Sequence, residues 1–268
     1  MQMKSVKLIA GISLAASILW IGGLGYTMNS QFFQQPDPPA KRSTQPSDNK
    51  PAKQDNEYVV VGLGDSLTRG IGDGDGKGYV GYLMNDLRGR SEQKVTLSNL
   101  SISGQTSSGL DKQLKQAEIQ RQISKADAIV MTIGGNDLFA GGQVMNDLSS
   151  KTIEQTRTAF LNRLSGIFKQ IRTINPDAAI YYVGLYNPFN DLSDSSVTSG
   201  IVREWNFYTA NEAAKYKKTV MVPTFDLFEQ NVNDYLYSDK FHPNKEGYKL
   251  IGERLSSLIV FSEEGKKK

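Results

Sequence analysis

Residues 58–67 read Tyr-Val-Val-Val-Gly-Leu-Gly-Asp-Ser-Leu. Apolar residues dominate from Tyr58 to Leu63, and valine is branched at Cβ, a pattern typical of a strand buried on both faces of a parallel sheet. A polar turn, Gly64 to Ser66, follows directly. Because ligands of open parallel sheets bind beyond the carboxyl ends of the strands, this stretch predicts both the fold class and the place of a functional site.

The same apolar pattern returns four times, in Val95–Leu100, Ala128–Ile133, Ala179–Leu185 and Thr219–Val222. Helical periodicity fills the intervals, at Tyr79–Leu87, Leu110–Ile123, Ile153–Ile171, Val197–Tyr216 and Lys245–Leu258. The third of these helices is expected to end before Pro176, since the residue preceding a proline disfavours helical backbone. Strands that alternate with helices predict right-handed βαβ units and an α/β fold, a three-layer α/β/α sandwich.

The N-terminal segment has the character of a membrane anchor. Lys4 and Lys7 precede Leu8 to Met28, which carries no formally charged residue. Its length matches the roughly 20 residues of a helix that crosses a hydrocarbon core, and the cationic flank predicts a cytoplasmic N-terminus with the rest of the chain outside. A cleaved signal peptide, whose apolar region is usually about 7–15 residues long, is the alternative. We expect residues 1–28 to form a single-pass anchor in the cell membrane, or a signal segment whose cleavage would make the protein secreted.

Proline recurs among polar residues in 29–56, where aliphatic residues are almost absent. Such a segment cannot bury enough apolar surface to offset the entropy of ordering its backbone, so we expect a disordered linker. The chain ends in a charged tail, 263–268, which we expect to fray. These boundaries leave 57–262 as the folded domain.

The composition excludes several classes of site. The chain of 268 residues has no cysteine, so it contains no disulfide, no thiolate nucleophile and no Cys-ligated zinc. Its formal net charge of +3 is too small to indicate a nucleic-acid partner. A single histidine, His242, argues against a transition-metal site, whereas a carboxylate-only Mg²⁺ site stays open. We assign no cofactor and no metal.

Three polar, glycine-containing segments follow predicted strands, and a fourth precedes the last helix: Gly64–Thr68, Asn99–Thr106, Gly134–Asp137 and Asp239–His242. Each alone is typical of a turn or a helix cap. Together they supply a hydroxyl, an imidazole and carboxylates, the groups that a serine hydrolase needs for its nucleophile, its base and the orientation of the base. If His242 is not the base, no histidine is.

The four segments together resemble the sequence blocks of the SGNH hydrolases, also called GDSL lipases and esterases. The block residues are Ser66 in Gly-Asp-Ser-Leu, Gly104 in Asn-x-x-x-x-Gly-x-Thr, Asn136 in Gly-x-Asn-Asp and His242 in Asp-x-x-His-Pro. The resemblance extends over about residues 58–258 and is strongest to bacterial membrane-anchored members. It implies an α/β/α sandwich around a flavodoxin-like five-stranded parallel sheet, with lipase, esterase or acylhydrolase activity.

The resemblance also implies a role for each residue. Ser66 would attack an acyl carbonyl, His242 would accept and return the proton, and Asp239 would orient the imidazole. The oxyanion hole would consist of the N–H groups of Ser66 and Gly104 and the side-chain amide of Asn136. No substrate-binding residue is assigned.

The substrate stays open among a lipid acyl ester, a short-chain ester and an acetylated glycan, because one fold supports all of them. Two other function classes are less well supported. A non-catalytic module that binds envelope glycan or lipid predicts disrupted catalytic blocks, and all four blocks are intact. A flavodoxin-like nucleotide binder predicts a phosphate-binding glycine loop, yet Leu67 stands where a third glycine would follow Gly62-x-Gly64.

Other segments carry smaller expectations. The run from Gly72 to Gly78 resembles a calcium loop, but Lys77 and Met84 replace two ligands, so we expect a flexible loop near Ser66. Pro243 is expected at the first position of the following helix, where its missing N–H costs nothing.

Aromatic residues are frequent in the second half of the chain, at Tyr181, Tyr182, Tyr186, Phe189, Trp205, Phe207 and Tyr208. Core packing is the simplest explanation for most of them. Residues 186–189 are the best candidates for a pocket wall, because they follow the fourth predicted strand, and Ser193–Ser199 would then form a loop over the site.

Overall fold

The computed structural model describes residues 57–141, 148–191 and 194–261. The predicted anchor, linker and charged tail lie outside these ranges and stay predictions. Within the three ranges, no helix combines the length and the hydropathy that a bilayer crossing requires.

A five-stranded sheet forms the centre of the described domain. Its strands are β1 (Glu57–Gly64), β2 (Lys94–Asn99), β3 (Ala128–Thr132), β4 (Ala179–Val183) and β5 (Thr219–Val222). They lie in the order β2-β1-β3-β4-β5, and every neighbouring pair is parallel. This is the flavodoxin-like order, so the predicted five-stranded parallel sheet is confirmed.

Helices cover both faces of the sheet. In chain order the described helices are α1 (Ser66–Arg69), α2 (Gly78–Arg90), α3 (Ser107–Gln113), α4 (Ala117–Ile123), α5 (Gly135–Phe139), α6 (Ser150–Ile174), α7 (Ser195–Ala213), α8 (Phe225–Phe228), α9 (Val232–Tyr235) and α10 (Lys245–Leu258). Helices α3 to α7 pack on one face, and α1, α2 and α8 to α10 pack on the other. The predicted three-layer α/β/α sandwich is therefore confirmed, and α6 ends before Pro176 as expected.

Neighbouring residues of a strand enter different helix layers, which explains the apolar runs in the sequence. Val61 and Leu63 of β1 pack in one layer, whereas Val60 packs in the other. A strand covered on both faces has no solvated side, so the alternation of polar and apolar residues is lost. The edge strand β2 is less covered, and Leu97 remains 37% exposed.

Close packing of α10 against α2 holds the segment that contains His242. Gly252 of α10 lies so near α2 that an added Cβ would be 2.9 Å from the carbonyl oxygen of Tyr79. Tyr248, also on α10, donates a hydrogen bond from its hydroxyl to the carbonyl oxygen of Ile71 at 2.6 Å. Because His242 precedes α10 by only a few residues, these contacts keep it near the carboxyl end of β1.

The single helix predicted over Leu110–Ile123 is wrong, because the segment forms two helices, α3 and α4. Leu110 and Leu114 are four apart, as are Ile119 and Ile123, but Leu114 and Ile119 are five apart, a spacing that one helix cannot keep on one face. The intervening turn absorbs the extra residue. The side-chain amide of Gln120 donates to the carbonyl oxygen of Leu114 at 3.0 Å. This hydrogen bond provides a donor for a carbonyl group at the end of α3.

The loop predicted over the site at Ser193–Ser199 is also wrong, since its described part from residue 195 onward forms the first turn of α7. The side-chain oxygens of Thr198 and Ser199 each accept a hydrogen bond from the amide of Asn187, both at 2.9 Å. Helices α1, α5, α8 and α9 have four or five residues each, too few to show a period in the sequence.

The end of β1 lies very close to the backbone of its parallel neighbour β3, where Gly64 is opposite Thr132. Gly64 has φ +109°, and an added Cβ would lie 1.7 Å from the carbonyl oxygen of Thr132. That carbonyl oxygen accepts a hydrogen bond from the backbone N–H of Asp65 at 3.1 Å. Only glycine fits here, and the close approach fixes where the chain leaves β1, two residues before Ser66 at the carboxyl end of the sheet.

Candidate active site

Ser66 is the first residue of α1, two residues after the point where Gly64 lies against β3. The side chain of Asp65 caps this short helix by accepting a hydrogen bond from the N–H of Leu67 at 3.1 Å. The helix ends at Gly70, which adopts the left-handed conformation with φ +88°. Ser66 itself is only 4% exposed, so its hydroxyl is confined between the neighbouring segments.

Ser66, His242 and Asp239 form one hydrogen-bonded chain. The Nε2 atom of His242 lies 2.8 Å from Ser66 Oγ, and its Nδ1 atom lies 2.6 Å from Asp239 Oδ2. A carboxylate accepts only, so Nδ1 carries the proton and Nε2 presents its lone pair to the serine hydroxyl. The structure thus brings together three residues that are remote in the sequence.

Asp239 is held by hydrogen bonds as well as by the imidazole. Its Oδ1 atom accepts from the backbone N–H groups of Phe241 at 3.0 Å and His242 at 2.9 Å. Lys240, between Asp239 and Phe241, has φ +56°, which closes the turn. Burial raises the pKa of Asp239, but the hydrogen bonds from the His242 ring and from these two N–H groups outweigh burial and hold the pKa below its ordinary value. The carboxylate therefore stays ionised at neutral pH.

The glycine-rich loop between α1 and α2 lies against His242. Gly72 has φ +96°, and an added Cβ would be 3.0 Å from the Cβ of His242 and 2.6 Å from the carbonyl oxygen of Pro243. The carboxylate of Asp73 accepts from backbone N–H groups of its own loop, including that of Gly78 at 2.8 Å. The loop supports the histidine and begins close to Ser66, since the N–H of Ile71 donates to the carbonyl oxygen of Ser66 at 3.0 Å. Its flexibility stays a prediction.

Pro243 does not begin the following helix, so that prediction is wrong. Asn244 is the N-cap of α10, and its Oδ1 accepts from the N–H of Gly247 at 3.0 Å. Pro243 instead pairs with Leu236 in an isolated antiparallel bridge. An asparagine side chain supplies the acceptor that a helix N-terminus requires, which proline lacks.

The candidate oxyanion donors line the same cleft as the three hydrogen-bonded residues. This cleft has a volume of about 620 Å³ and is lined by Ser66, Gly104, Asn136, Asp239 and His242, among others. The N–H groups of Ser66 and Gly104 have no acceptor in the part of the chain that the structure describes, so both are free to bind a ligand. Gly104 adopts φ +75°, a conformation that favours glycine.

Two adjacent residues of α5 form hydrogen bonds with the segment that follows Gly104. Asn136 donates from its side-chain amide to the carbonyl oxygen of Gln105 at 2.9 Å. Asp137 accepts from the backbone N–H of Ser107 at 2.8 Å and from its hydroxyl at 2.5 Å. An amide has two N–H groups, so Asn136 keeps one for a ligand. The sequence assigned Asp137 no role, although it is the last residue of the Gly-x-Asn-Asp block.

A buried polar chain lies behind Ser66. The hydroxyl of Thr132 donates to Asp65 Oδ1 at 2.6 Å and lies 2.8 Å from that of Thr68, which lies 2.6 Å from the hydroxyl of Tyr79. Burial raises the pKa of Tyr79 well above its ordinary range, so the phenol keeps its proton. Tyr79 can then donate to Thr68, Thr68 to Thr132, and Thr132 to Asp65.

Asp65 is the second unusual carboxyl group of the site. Burial raises its pKa strongly, the hydrogen bonds from Thr132 and Leu67 lower it, and the nearby charge of Asp137 raises it further, which together place the pKa at about 7. Below about pH 7 Asp65 is therefore mostly neutral while Asp239 is ionised, because one is enclosed and the other is stabilised by donors.

The aromatic residues divide between the core and the cleft. Pro188 and Phe189 line the cleft, as proposed for the segment after β4, and Phe241 joins them. The side chains of Tyr182 and Trp205 are almost fully buried in the core, whereas Phe207 and Tyr208 are exposed on α7. Among the described residues, no group of three or more acidic residues or histidine has the arrangement of a metal site.

Residues 63–250 match the GDSL-like Lipase/Acylhydrolase family. The match covers more than half of the chain. This protein belongs to that family. Membership of the GDSL-like family places it among the lipases and esterases, the hydrolases of carboxylic esters, and agrees with the resemblance carried by the four sequence blocks.

Relatives in Bacillus cover most of the domain. The chain is 36% identical over 212 residues to "Uncharacterized protein YpmR" of Bacillus subtilis (strain 168), which covers 77% of this chain and 83% of that protein. It is 28% identical over 201 residues to "Spore germination lipase LipC" of Bacillus licheniformis, which covers 72% of this chain and 92% of that protein. The crystal structure of the lipase Lip_vut3 from a goat rumen metagenome has a TM-score of 0.68 at 25% identity, covering 75% of this chain and 96% of that one. The fold is thus the fold of GDSL-like hydrolases.

We expect Asp65 to make the domain less stable as the pH rises toward neutrality. Its pKa is about 7 in the folded protein and near 3.9 in an unfolded chain. Between these values the native state keeps a proton that the unfolded state has released, so the free energy of unfolding falls with rising pH. Between pH 5 and pH 8, the ionisation of Asp65 should lower the free energy of unfolding by about 3 kcal/mol.

Urea unfolding of the wild type and of Asp65→Asn at both pH values measures this term. The asparagine keeps the oxygen that accepts from Thr132 and Leu67 but cannot ionise. The variant should therefore lose less stability than the wild type over this interval. An identical loss in both proteins would mean that Asp65 does not change its charge on unfolding in this range.

Proposed function

We propose that this protein is an extracytoplasmic serine hydrolase that cleaves carboxylic esters through Ser66, His242 and Asp239. The observation that carries the proposal is the hydrogen-bonded chain of 2.8 Å and 2.6 Å that joins these three side chains. The chain lies in a cleft of about 620 Å³, a size usual for small-molecule sites. Family membership supports the reaction class.

The chemistry follows from the positions of the protons. Ser66 Oγ attacks the acyl carbon while its proton moves to Nε2 of His242, and the ionised Asp239 stabilises the imidazolium that forms. The tetrahedral intermediate then expels the alcohol, which takes the proton from Nε2. An ester between Ser66 and the acyl group remains.

Water completes the cycle by the same route. It gives a proton to Nε2 of His242 and attacks the acyl carbon, and the carboxylic acid leaves as Ser66 Oγ recovers the proton. In both halves the carbonyl oxygen becomes an anion. The free N–H groups of Ser66 and Gly104 and the second N–H of Asn136 are the donors for it. All three are neutral and fixed before the substrate binds.

A non-catalytic envelope-binding module is the alternative. Binding alone does not require an imidazole that is hydrogen-bonded between a carboxylate and a serine hydroxyl. The hydrogen bonds of an ionised Asp239 to the His242 ring and segment favour catalysis over binding alone.

The location is proposed from the N-terminal segment. Lys4 and Lys7 ahead of the uncharged stretch from Leu8 to Met28 favour an anchor with the domain outside the cytoplasm. Protease added to intact cells that express the full chain should then digest the domain. A domain that stays intact until the cells are lysed would overturn this location.

We expect Ser66→Ala to lower kcat by at least about 10³-fold, and His242→Ala to be similarly severe, because the residues of a triad act as a unit. Hydrolysis of p-nitrophenyl acetate by the full-length chain measures this effect. Ser257→Ala, on an exposed position of α10, is the matched control and should behave as the wild type.

Labelling with a fluorophosphonate provides an independent readout. Wild-type protein should be labelled at Ser66, and Ser66→Ala should not be labelled. Wild-type turnover in Ser66→Ala, or labelling that persists in it, would mean that another residue is the nucleophile.

We expect Asp137→Ala to lower kcat about 10²-fold with little change in KM. Without its carboxylate, Asp137 no longer holds Ser107, so the segment from Gly104 to Ser107 can shift. A displacement of about 1 Å in a catalytic group can lower the rate about 10²-fold. Asp137 is a positioning residue, since it acts through Gly104. Asp137→Asn keeps an oxygen that can accept from Ser107 and should recover part of kcat.

Michaelis kinetics of both Asp137 variants and of Ser107→Ala, with circular dichroism to verify folding, test this role. Ser107→Ala removes one of the two hydrogen bonds and should lie between the wild type and Asp137→Ala. An increase in KM with unchanged kcat would show that Asp137 has no part in positioning the oxyanion donors.

A further inference from the structure

A second, much smaller cavity meets the cleft at Ser66. It has a volume of about 20 Å³, whereas the cleft has about 620 Å³. Both are bordered by Ser66, Asn136, Pro188 and Phe241, but His242 borders only the cleft. The nucleophile and one oxyanion donor thus face two spaces of very different size.

The reaction assigns a different part of the substrate to each space. The alcohol oxygen must receive its proton from Nε2 of His242, so the alcohol lies on the His242 side, in the cleft. The carbonyl oxygen points to Gly104 and Asn136. The acyl substituent takes the remaining direction at the tetrahedral carbon, which is the side bordered by Ser66 and Asn136 without His242.

The small cavity is suited to a single methyl group. To hold one water molecule, a void needs about 10–15 Å³ of volume that is open to the centre of a water-sized sphere. A methyl group is slightly larger than a water molecule. Most of the surrounding side chains are apolar: Leu67, Phe139, Leu185, Tyr186, Pro188 and Phe241. Asp65 and Thr132 also border the cavity, and they are hydrogen-bonded to each other. A longer acyl chain would have to displace one of these residues.

The walls of the cavity are fixed from outside. Tyr186 stacks on Phe228 with ring centroids 4.2 Å apart, and its hydroxyl donates to the carbonyl oxygen of Phe241 at 2.5 Å. Phe139 is 5% exposed and packs edge-to-face on Phe241 at 5.7 Å. The backbone of Leu185 is bound on both sides by the amide of Asn206, at 2.9 and 2.7 Å. These contacts make widening of the cavity costly.

We propose that the enzyme is selective for acetyl esters, with the methyl group of the acyl moiety in the small cavity and Phe139 as the residue that limits acyl length. This assignment rests on the proposed function. The alcohol occupies the larger cleft, whose outer wall includes the exposed polar residues Asp191, Asn233 and Lys240, so a polar alcohol fits it best.

The test compares p-nitrophenyl formate, acetate, butyrate and octanoate, corrected for spontaneous hydrolysis, with the full-length wild type and variants that change the cavity in opposite directions. One methylene in an apolar pocket changes kcat/KM by about 10–200-fold. We expect the wild type to prefer acetate over butyrate and octanoate by at least about tenfold.

Phe139→Leu and Phe139→Ala should raise the ratio of butyrate to acetate kcat/KM by about tenfold or more, because they lengthen the cavity. Gly135 also borders the cavity, and an added Cβ would lie 3.6 Å from Leu185 Cδ2, an ordinary contact. Gly135→Ala should fold normally and lower the ratio of acetate to formate kcat/KM by about tenfold. Phe207→Ala, at a 61% exposed position on α7, is the control and should keep the wild-type profile.

The outcomes separate the acyl assignment from the proposed function. Turnover that depends on Ser66 but is at least as fast with octanoate as with acetate would overturn the acyl assignment alone. Unchanged ratios in Gly135→Ala and in both Phe139 variants would do the same. Absence of any Ser66-dependent turnover or fluorophosphonate labelling would overturn the proposed function and the acyl assignment with it.

Discussion

The contact between Gly64 and the carbonyl oxygen of Thr132 determines the position of everything at the edge of the sheet. Because no side chain fits between β1 and β3 at this point, the end of β1 can lie directly against the backbone of β3. The N–H of Asp65 closes the contact, and Ser66 follows at the start of α1. The other functional segments are arranged around this fixed serine: two follow β2 and β3, and the last is held by the packing of α10 on α2.

Two carboxyl groups close to the same serine have opposite electrostatic environments. Asp239 is surrounded by donors and stays ionised, which suits a group that stabilises a transient imidazolium. Asp65 is enclosed, with a pKa of about 7, and its hydrogen bonds are structural. In the proposed mechanism, this arrangement keeps a permanent negative charge on the far side of the imidazole and, below about pH 7, away from the oxyanion that would form at Ser66.

Much of the fold follows from the sequence, because continuous apolar runs separated by helical periods have few alternatives to a parallel sheet. The candidate residues Ser66, Gly104, Asn136, Asp239 and His242 are predicted from four short blocks that together resemble a known family, and all five line one cleft. Contacts between residues that are remote in the sequence could not be found: the hydrogen bonds from Ser107 to Asp137 and from Thr132 to Asp65. The break within Leu110–Ile123, by contrast, is marked in the sequence by the five-residue interval between Leu114 and Ile119. Short helices and caps, as at Asn244, depend on single hydrogen bonds that leave no period in the sequence.

The hydrogen bond from the Tyr186 hydroxyl to the carbonyl oxygen of Phe241 joins the end of β4 to the residue beside the catalytic-base candidate. A wall of the small cavity and the backbone that carries His242 therefore move together. Changes of substrate preference in this scaffold should be epistatic: a substitution that enlarges the cavity at Tyr186 also loosens the imidazole. Divergence of related enzymes toward longer acyl groups would then require compensating substitutions in two segments more than fifty residues apart in the chain.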